Sequence, residues 1–340
     1  MREAADPKDN SASPRESSVL MVQALRQNVA SVLKGKSAVI DLVLAGFLAR
    51  GHLLLEDVPG VGKTLLGRAL AGSIAGQFKR IQFTPDLLPS DITGVSIYEA
   101  SHQEFRFVPG PVFAQIVLAD EINRATPRTQ AALLEAMGEG QLSVDGVTRP
   151  LPQPFLVIAT QNPVEYQGTY PLPEAQLDRF ALCLQMGYPD RSSELAMIFE
   201  PPQTSSLSAL RPVISPDQMR YLQAQVAGVH LERSLADYVL DIVAATRSHK
   251  TLKLGASPRG TLSLVQVAKA WALTHGRDYV VPDDIRMLVG PVLGHRILPQ
   301  VPMSLTDPRR AEILNSILNS IQVPPVNLSG PNYSTPFYRG

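Results

Sequence analysis

Cysteine is almost missing from this sequence: Cys183 is the single one in 340 residues. An intrachain disulfide is excluded, no metal cluster can be built around one thiol, and a reducing compartment suits the chain. Within the apolar run FALCLQM, Cys183 reads as a core residue. Neither sign of charge is in excess, since Lys plus Arg and Asp plus Glu number 31 each. No overall basic field therefore draws nucleic acid or an anionic membrane, and nucleic acid is not an expected partner. A long unbroken apolar run is lacking too. The longest, SAVIDLVLAGFLARGHLLL, is interrupted by Asp41, Arg50 and His52, and the N-terminal MREAADPKDNSASPRESS has no signal-peptide stretch. These absences predict a cytoplasmic chain without a membrane span. No internal repeat is found.

What is present is a hydrophobic content of 44%, ample for a sizeable core in two or three domains. Residues 1–18 read as a disordered arm. Two helices are predicted next, with a break at Lys34-Gly35-Lys36. From there to residue 188 apolar strands alternate with helices. LLLE, RIQF, IVLADE, FLVIAT and FALCLQM are five strand candidates, which predicts an α/β domain over 19–188 with a mostly parallel sheet. Two segments exceed a minimal alternation and read as projecting insertions, near 91–113 and 140–154. The second centres on Asp145-Gly146, a two-residue hairpin signal. After Gly187-Tyr188-Pro189 the pattern turns helical, predicting a small α-helical domain over 189–322. A flexible tail, 323–340, carries Tyr333, Phe337 and Tyr338.

The chemistry starts at EDVPGVGKT, residues 56–64. A buried strand, His52–Glu56, runs into a glycine-rich turn and then into a helix, the arrangement in which backbone N–H groups and a helix N-terminus hold phosphate. Pro59, Gly60, Val61, Gly62, Lys63, Thr64 and Leu65 form this stretch. Lys63 would reach the terminal phosphates and the Thr64 hydroxyl would ligate Mg²⁺. Asp57 departs from the pattern, which wants glycine there, and a carboxylate aimed inward would repel phosphate.

Polar residues at other strand ends complete the set. IVLADEINRA ends an apolar strand with adjacent carboxylates: Asp120 would hold Mg²⁺ through water and Glu121 would deprotonate an attacking water. Asn162, in FLVIATQNP, is placed to position that water. Arg179 in PEAQLDRF and Arg259 in GASPRG add two cations, for which surface salt bridging is the plain alternative.

In this order the motifs resemble the AAA+ ATPases, and more closely the MoxR family, over residues 20–321. An acidic residue at the Asp57 position is usual in MoxR-like sequences. The resemblance implies a five-stranded, mostly parallel AAA+ P-loop core followed by a helical lid, binding ATP with Mg²⁺ between subunits of a ring, commonly hexameric. It assigns Gly60, Gly62, Lys63 and Thr64 to Walker A, Asp120 and Glu121 to Walker B, Asn162 to sensor 1 and Arg259 to sensor 2. Arg179 matches the arginine finger, and Val32, Leu33 and Gly35 fall where the family holds adenine. The implied activity is ATP hydrolysis that remodels, matures or activates partner proteins, often ones with a von Willebrand factor A domain. A metal-chelatase motor subunit and an ATP-gated binding module with negligible turnover are the alternatives, and the intact Glu121 argues against the latter.

Overall fold

The computed structural model describes residues 14–162, 168–199, 207 and 209–325. Helix α1 (Pro14–Val32) starts inside the stretch read as a disordered arm, so residues 14–18 lengthen the helix expected from Val19 onward. Gly35, at φ 73°, makes the break before α2 (Ser37–Leu48). The buried Lys36 then pins that corner, donating from Nζ to the carbonyls of Met186, Gly187 and Tyr188 at 2.8, 3.0 and 2.6 Å.

Five strands form the central sheet: β1 (His52–Glu56), β2 (Phe78–Gln82), β5 (Ile116–Asp120), β8 (Leu156–Gln161) and β9 (Phe180–Leu184). Their spatial order is β2-β5-β8-β1-β9, and every pairing is parallel. β1 is buried at all five positions, as a strand covered on both faces must be. One face packs with α1, α2 and α3 (Lys63–Ser73); the other packs under α5 (Pro127–Glu139).

Both insertions are hairpins. A short helix, α4 (Pro89–Thr93), leads into β3 (Gly94–Glu99) and β4 (Glu104–Pro109). β6 (Gln141–Val144) and β7 (Val147–Pro150) turn through Asp145 and Gly146 at φ 53° and 75°, the left-handed pair that such a turn requires. The two projections touch: the Arg149 guanidinium lies 4.0 Å from the Phe107 ring centre, and Phe107 meets Phe113 edge-on at 5.6 Å.

After a short α6 (Glu174–Leu177) and β9 comes the lid: α7 (Arg191–Phe199), α8 (Pro216–Gln225), α9 (Arg233–Ser248), α10 (Pro258–Thr274), α11 (Pro282–Leu293) and α12 (Pro308–Ser320). The Ser215, Ser257 and Asp307 side chains cap α8, α10 and α12, each before a proline at the first helical position. The lid also holds an antiparallel pair, β10 (Leu252–Leu254) with β11 (Leu298–Pro299), where the sequence reading has only helices. It is not hinged loosely. One apolar cluster runs from Val29 and Leu44 through Leu53 and Leu66 of the core to Leu264, Val289 and Leu314 of the lid. The expected tail aromatics, Tyr333, Phe337 and Tyr338, lie outside the described residues. Among the described residues no helix is long and apolar enough to cross a membrane.

Candidate nucleotide site

The order of the sheet brings the motifs together. β5, β8 and β1 are neighbours, and their C-terminal ends deliver Asp120 and Glu121, Asn162 and the phosphate loop to one edge, where open α/β sheets bind ligands. Gly60 (φ 87°) and Gly62 (φ 99°) adopt backbone that a side chain would strain, and Gly62 starts α3. Pro59, Gly60, Gly62, Lys63, Thr64 and Leu65 then line a cavity of ≈ 400 Å³, closed by Arg80, Asp120, Glu121 and Asn162. Val61 instead turns into the core, in the same apolar cluster as Leu33. Val32 packs against that cluster as well, and neither these residues nor Gly35 are among the cavity's lining.

Asp57 faces away from the loop. Its carboxylate accepts the backbone N–H groups of Met186 and, at 3.1 Å, Gly187 just past β9. Its carbonyl accepts Lys63 Nζ at 2.8 Å. The residue that breaks the glycine pattern thus anchors the loop, and its own carboxylate is not aimed at phosphate. Burial holds the Lys63 ammonium below its ordinary pKa, with Asp120, Asp57 and Glu121 pulling the other way.

The carboxylates of Asp120 and Glu121 are each held from two sides, and one partner of Glu121 is Arg124, whose Nε lies 3.3 Å from Oε2. The buried Thr160 hydroxyl donates to Asp120 Oδ1 at 2.7 Å and accepts the Glu121 N–H at 2.9 Å. Arg80 donates to Asp120 Oδ2 from Nε (3.0 Å) and Nη2 (2.6 Å). Arg80 Nη2 also reaches Gln82 Oε1 at 2.7 Å, and Gln82 Nε2 donates to Glu121 Oε2 at 2.7 Å. Glu121 has left-handed backbone, φ 58° and ψ 50°, which turns its side chain out of the strand register beside Asp120. Thr160, Arg80 and Gln82 are the residues that sequence reasoning missed. Their only signal is polar residues inside the strand candidates FLVIAT and RIQF.

The donor set fits the chemistry expected of it. The Thr64 hydroxyl and the Asp120 carboxylate are hard oxygen donors in one cavity, the kind that suits Mg²⁺. Among the described residues no group of three or more His, Cys, Asp or Glu could cage a metal, so a cation here would complete its shell from phosphate oxygens and water. The N-terminus of α3 and Lys63 supply the matching positive charge for phosphate.

Arg179 and Arg259 do not join this cavity. They line another, of ≈ 310 Å³, with Arg50, Gly51, His52 and Asp178, at the N-terminal edge of the sheet. The length of a five-residue strand puts that edge on the order of 15 Å from the chain's own phosphate loop. Arg179 is mounted firmly, its Nη1 donating to Leu134 O of α5 at 2.5 Å. Asp178 is clamped to the lid by Arg296 Nε at 2.8 Å and by the Ser257 hydroxyl at 2.9 Å.

A larger cleft, ≈ 520 Å³, lies between core and lid and shares Asn162 with the phosphate cavity. On its wall Glu56 is buried with Oε2 unpartnered, and burial pushes its carboxyl up to about 7 against the pull of Arg310.

Comparison with known proteins agrees with this architecture. Residues 52–182 match the model of the ATPase family associated with various cellular activities (AAA), and residues 244–317 match the AAA lid domain. A crystal structure of a "putative ATPase" from Cytophaga hutchinsonii superposes with a TM-score of 0.83 at 36% identity, covering 92% of this chain and 97% of that one. Fold and site define an AAA+ ATPase with a helical lid. Chaperone MoxR1 of Mycobacterium tuberculosis is 42% identical over 313 residues, 88% of this chain and 81% of that protein. The MoxR protein of Paracoccus denitrificans is 34% identical over 85% of this chain and 91% of its own length. The chain belongs to the MoxR family of AAA+ ATPases.

Proposed function

We infer that this protein hydrolyses ATP with Mg²⁺ as a ring oligomer, commonly a hexamer in this family, and spends the cycle remodelling or activating a protein client. The observation that carries the reading is the split of the charged residues between two edges of one subunit. Lys63, Thr64, Asp120, Glu121 and Asn162 meet at the phosphate loop, while Arg179 and Arg259 share a cavity at the opposite edge. A head-to-tail ring brings the second edge of each subunit against the first edge of its neighbour. There the two arginines stand beside phosphate charge as it develops in the transition state. When bound, Mg²⁺ neutralises phosphate charge, and Thr64 and Asp120 are the residues that would hold it. Lys63 orients the terminal phosphates, Asn162 positions the water, and Glu121 takes its proton.

The client would meet the projecting hairpins. Val95, Ile97, Tyr98, Phe105 and Val108 of the first are exposed, Phe105 by 74%. Such an apolar display suits a protein partner. The chaperone name of the mycobacterial relative supports a protein client, and family resemblance suggests one with a von Willebrand factor A domain. Glu121→Gln tests the whole reading, because the amide keeps the shape and loses the basicity. The variant should bind ATP, retain it without turnover, and capture the client in a pull-down from the native cell. A folded Glu121→Gln variant that turns ATP over at the wild-type rate would overturn it.

A further inference from the structure

Both carboxylate oxygens of Asp120 have partners within the chain. Thr160 takes Oδ1, and Arg80 places two N–H groups on Oδ2. A metal-bound water has to share these oxygens, and Arg80 already takes both accepting directions of Oδ2 while Thr160 takes one of Oδ1. Thr160 is fully buried and also accepts the Glu121 N–H, so it has nowhere to go. The Arg80 side chain is 48% exposed, belongs to the edge strand β2 and lines the same cavity as the phosphate loop. Of the two partners it is the one free to leave.

We propose that Arg80 is a resting counter-cation for the metal site: it fills one of the two Asp120 oxygens and competes with Mg²⁺ for that carboxylate. The proposal rests on the assignment of Asp120 to the metal. Charge makes the exchange selective. Lys63, Arg80 and Arg124 stand against Asp120 and Glu121, so a lone divalent cation would enter a site whose carboxylates already have their counter-cations. Nucleotide alters that balance, because its phosphates offer the released guanidinium an anionic partner within the same cavity. Metal alone is thus disfavoured and metal with nucleotide is admitted. Gln82 extends the arrangement, since it bridges Arg80 to Glu121 and so ties the water-activating carboxylate to the same departure.

The test is Mn²⁺ binding to nucleotide-free protein, followed by electron paramagnetic resonance. Arg80→Ala should bind Mn²⁺ roughly three- to tenfold more tightly than wild type, the worth of one partly exposed charge-assisted pair. Arg80→Lys should fall between, and Arg80→Gln, closer in shape, repeats the comparison should the alanine variant fold poorly. Adding Asp120→Asn to Arg80→Ala should abolish the gain. Unchanged or weaker Mn²⁺ binding in folded Arg80→Ala and Arg80→Gln, with Asp120→Asn still removing the wild-type signal, overturns the proposal and leaves the metal assignment standing. Mn²⁺ binding that survives Asp120→Asn places the metal elsewhere and overturns both.

Discussion

Thr160 and Asp120 stand on adjacent parallel strands, and the threonine hydroxyl donates to the aspartate at 2.7 Å while accepting the N–H of Glu121. One buried hydroxyl thereby aims one carboxylate and fixes the backbone of the next. Thr160→Val keeps the shape and strands both partners. It should cost about 1–3 kcal/mol of stability, the penalty for a buried polar group left unmade, read from denaturant unfolding. Nucleotide affinity in Mg²⁺ should fall while affinity in EDTA changes little. Equal loss in both conditions would make Thr160 a packing residue only.

The placement of Arg179 and Arg259 leads to a complementation experiment. Arg179→Ala should bind ATP nearly normally yet hydrolyse it on the order of 10³-fold more slowly, as when a trans-acting arginine is removed. Lys63→Ala should not hydrolyse at all. Mixed, the two should recover part of the activity, because some interfaces pair an intact loop with an intact arginine. Arg259→Ala should complement Lys63→Ala in the same way, since both arginines occupy one edge. Co-assembled mixtures that stay inactive would confine the arginines to their own subunit.

Acid should loosen the core through two histidines. His52 Nδ1 accepts the Val157 N–H at 3.0 Å, so the proton sits on Nε2, which donates to Met137 O at 3.1 Å. Burial lowers its pKa to about 4, and burial with the Arg296 cation lowers that of His295 to about 3. Both stay neutral when folded and take a proton near pH 6.5 when unfolded, so stability falls as pH drops below 6.5. Glu56 acts oppositely: raised to about 7, it keeps its proton in the folded state and contributes stability as pH falls from 7 toward 4.5. The net slope near pH 5.5 should be about one proton, roughly 1.4 kcal/mol per pH unit. Glu56→Gln should steepen it toward two, as measured by unfolding at pH 5, 6 and 7. An unchanged slope would remove Glu56 from the account.

Much of the architecture is legible in the sequence because strand and helix periods are strong where a face is buried. Both helices before β1, all five strands of the sheet and both hairpins fall where the pattern puts them. The turn at Asp145-Gly146 is legible for a steric reason, the left-handed backbone that those residues tolerate. What stays hidden is set by contacts between distant segments. Arg80 and Gln82 look like the solvent face of an edge strand, and only the register Gln82 to Asp120 reveals what they hold. Asp57 looks like an intruder until Met186 and Gly187 arrive from 129 and 130 residues away. Arg259 shows its edge only once the lid is folded onto Asp178 through Ser257.

The apolar cluster shared by sheet and lid has a mechanical side. A subunit whose two halves share one interior is a stiff lever, and heat should melt it in a single transition. Bending such a body at its waist would expose part of that shared interior to water. In the ring proposed above, displacement would fall where one copy leans on the next, and Asp178, gripped by Arg296, lines that edge together with Arg179 and Arg259.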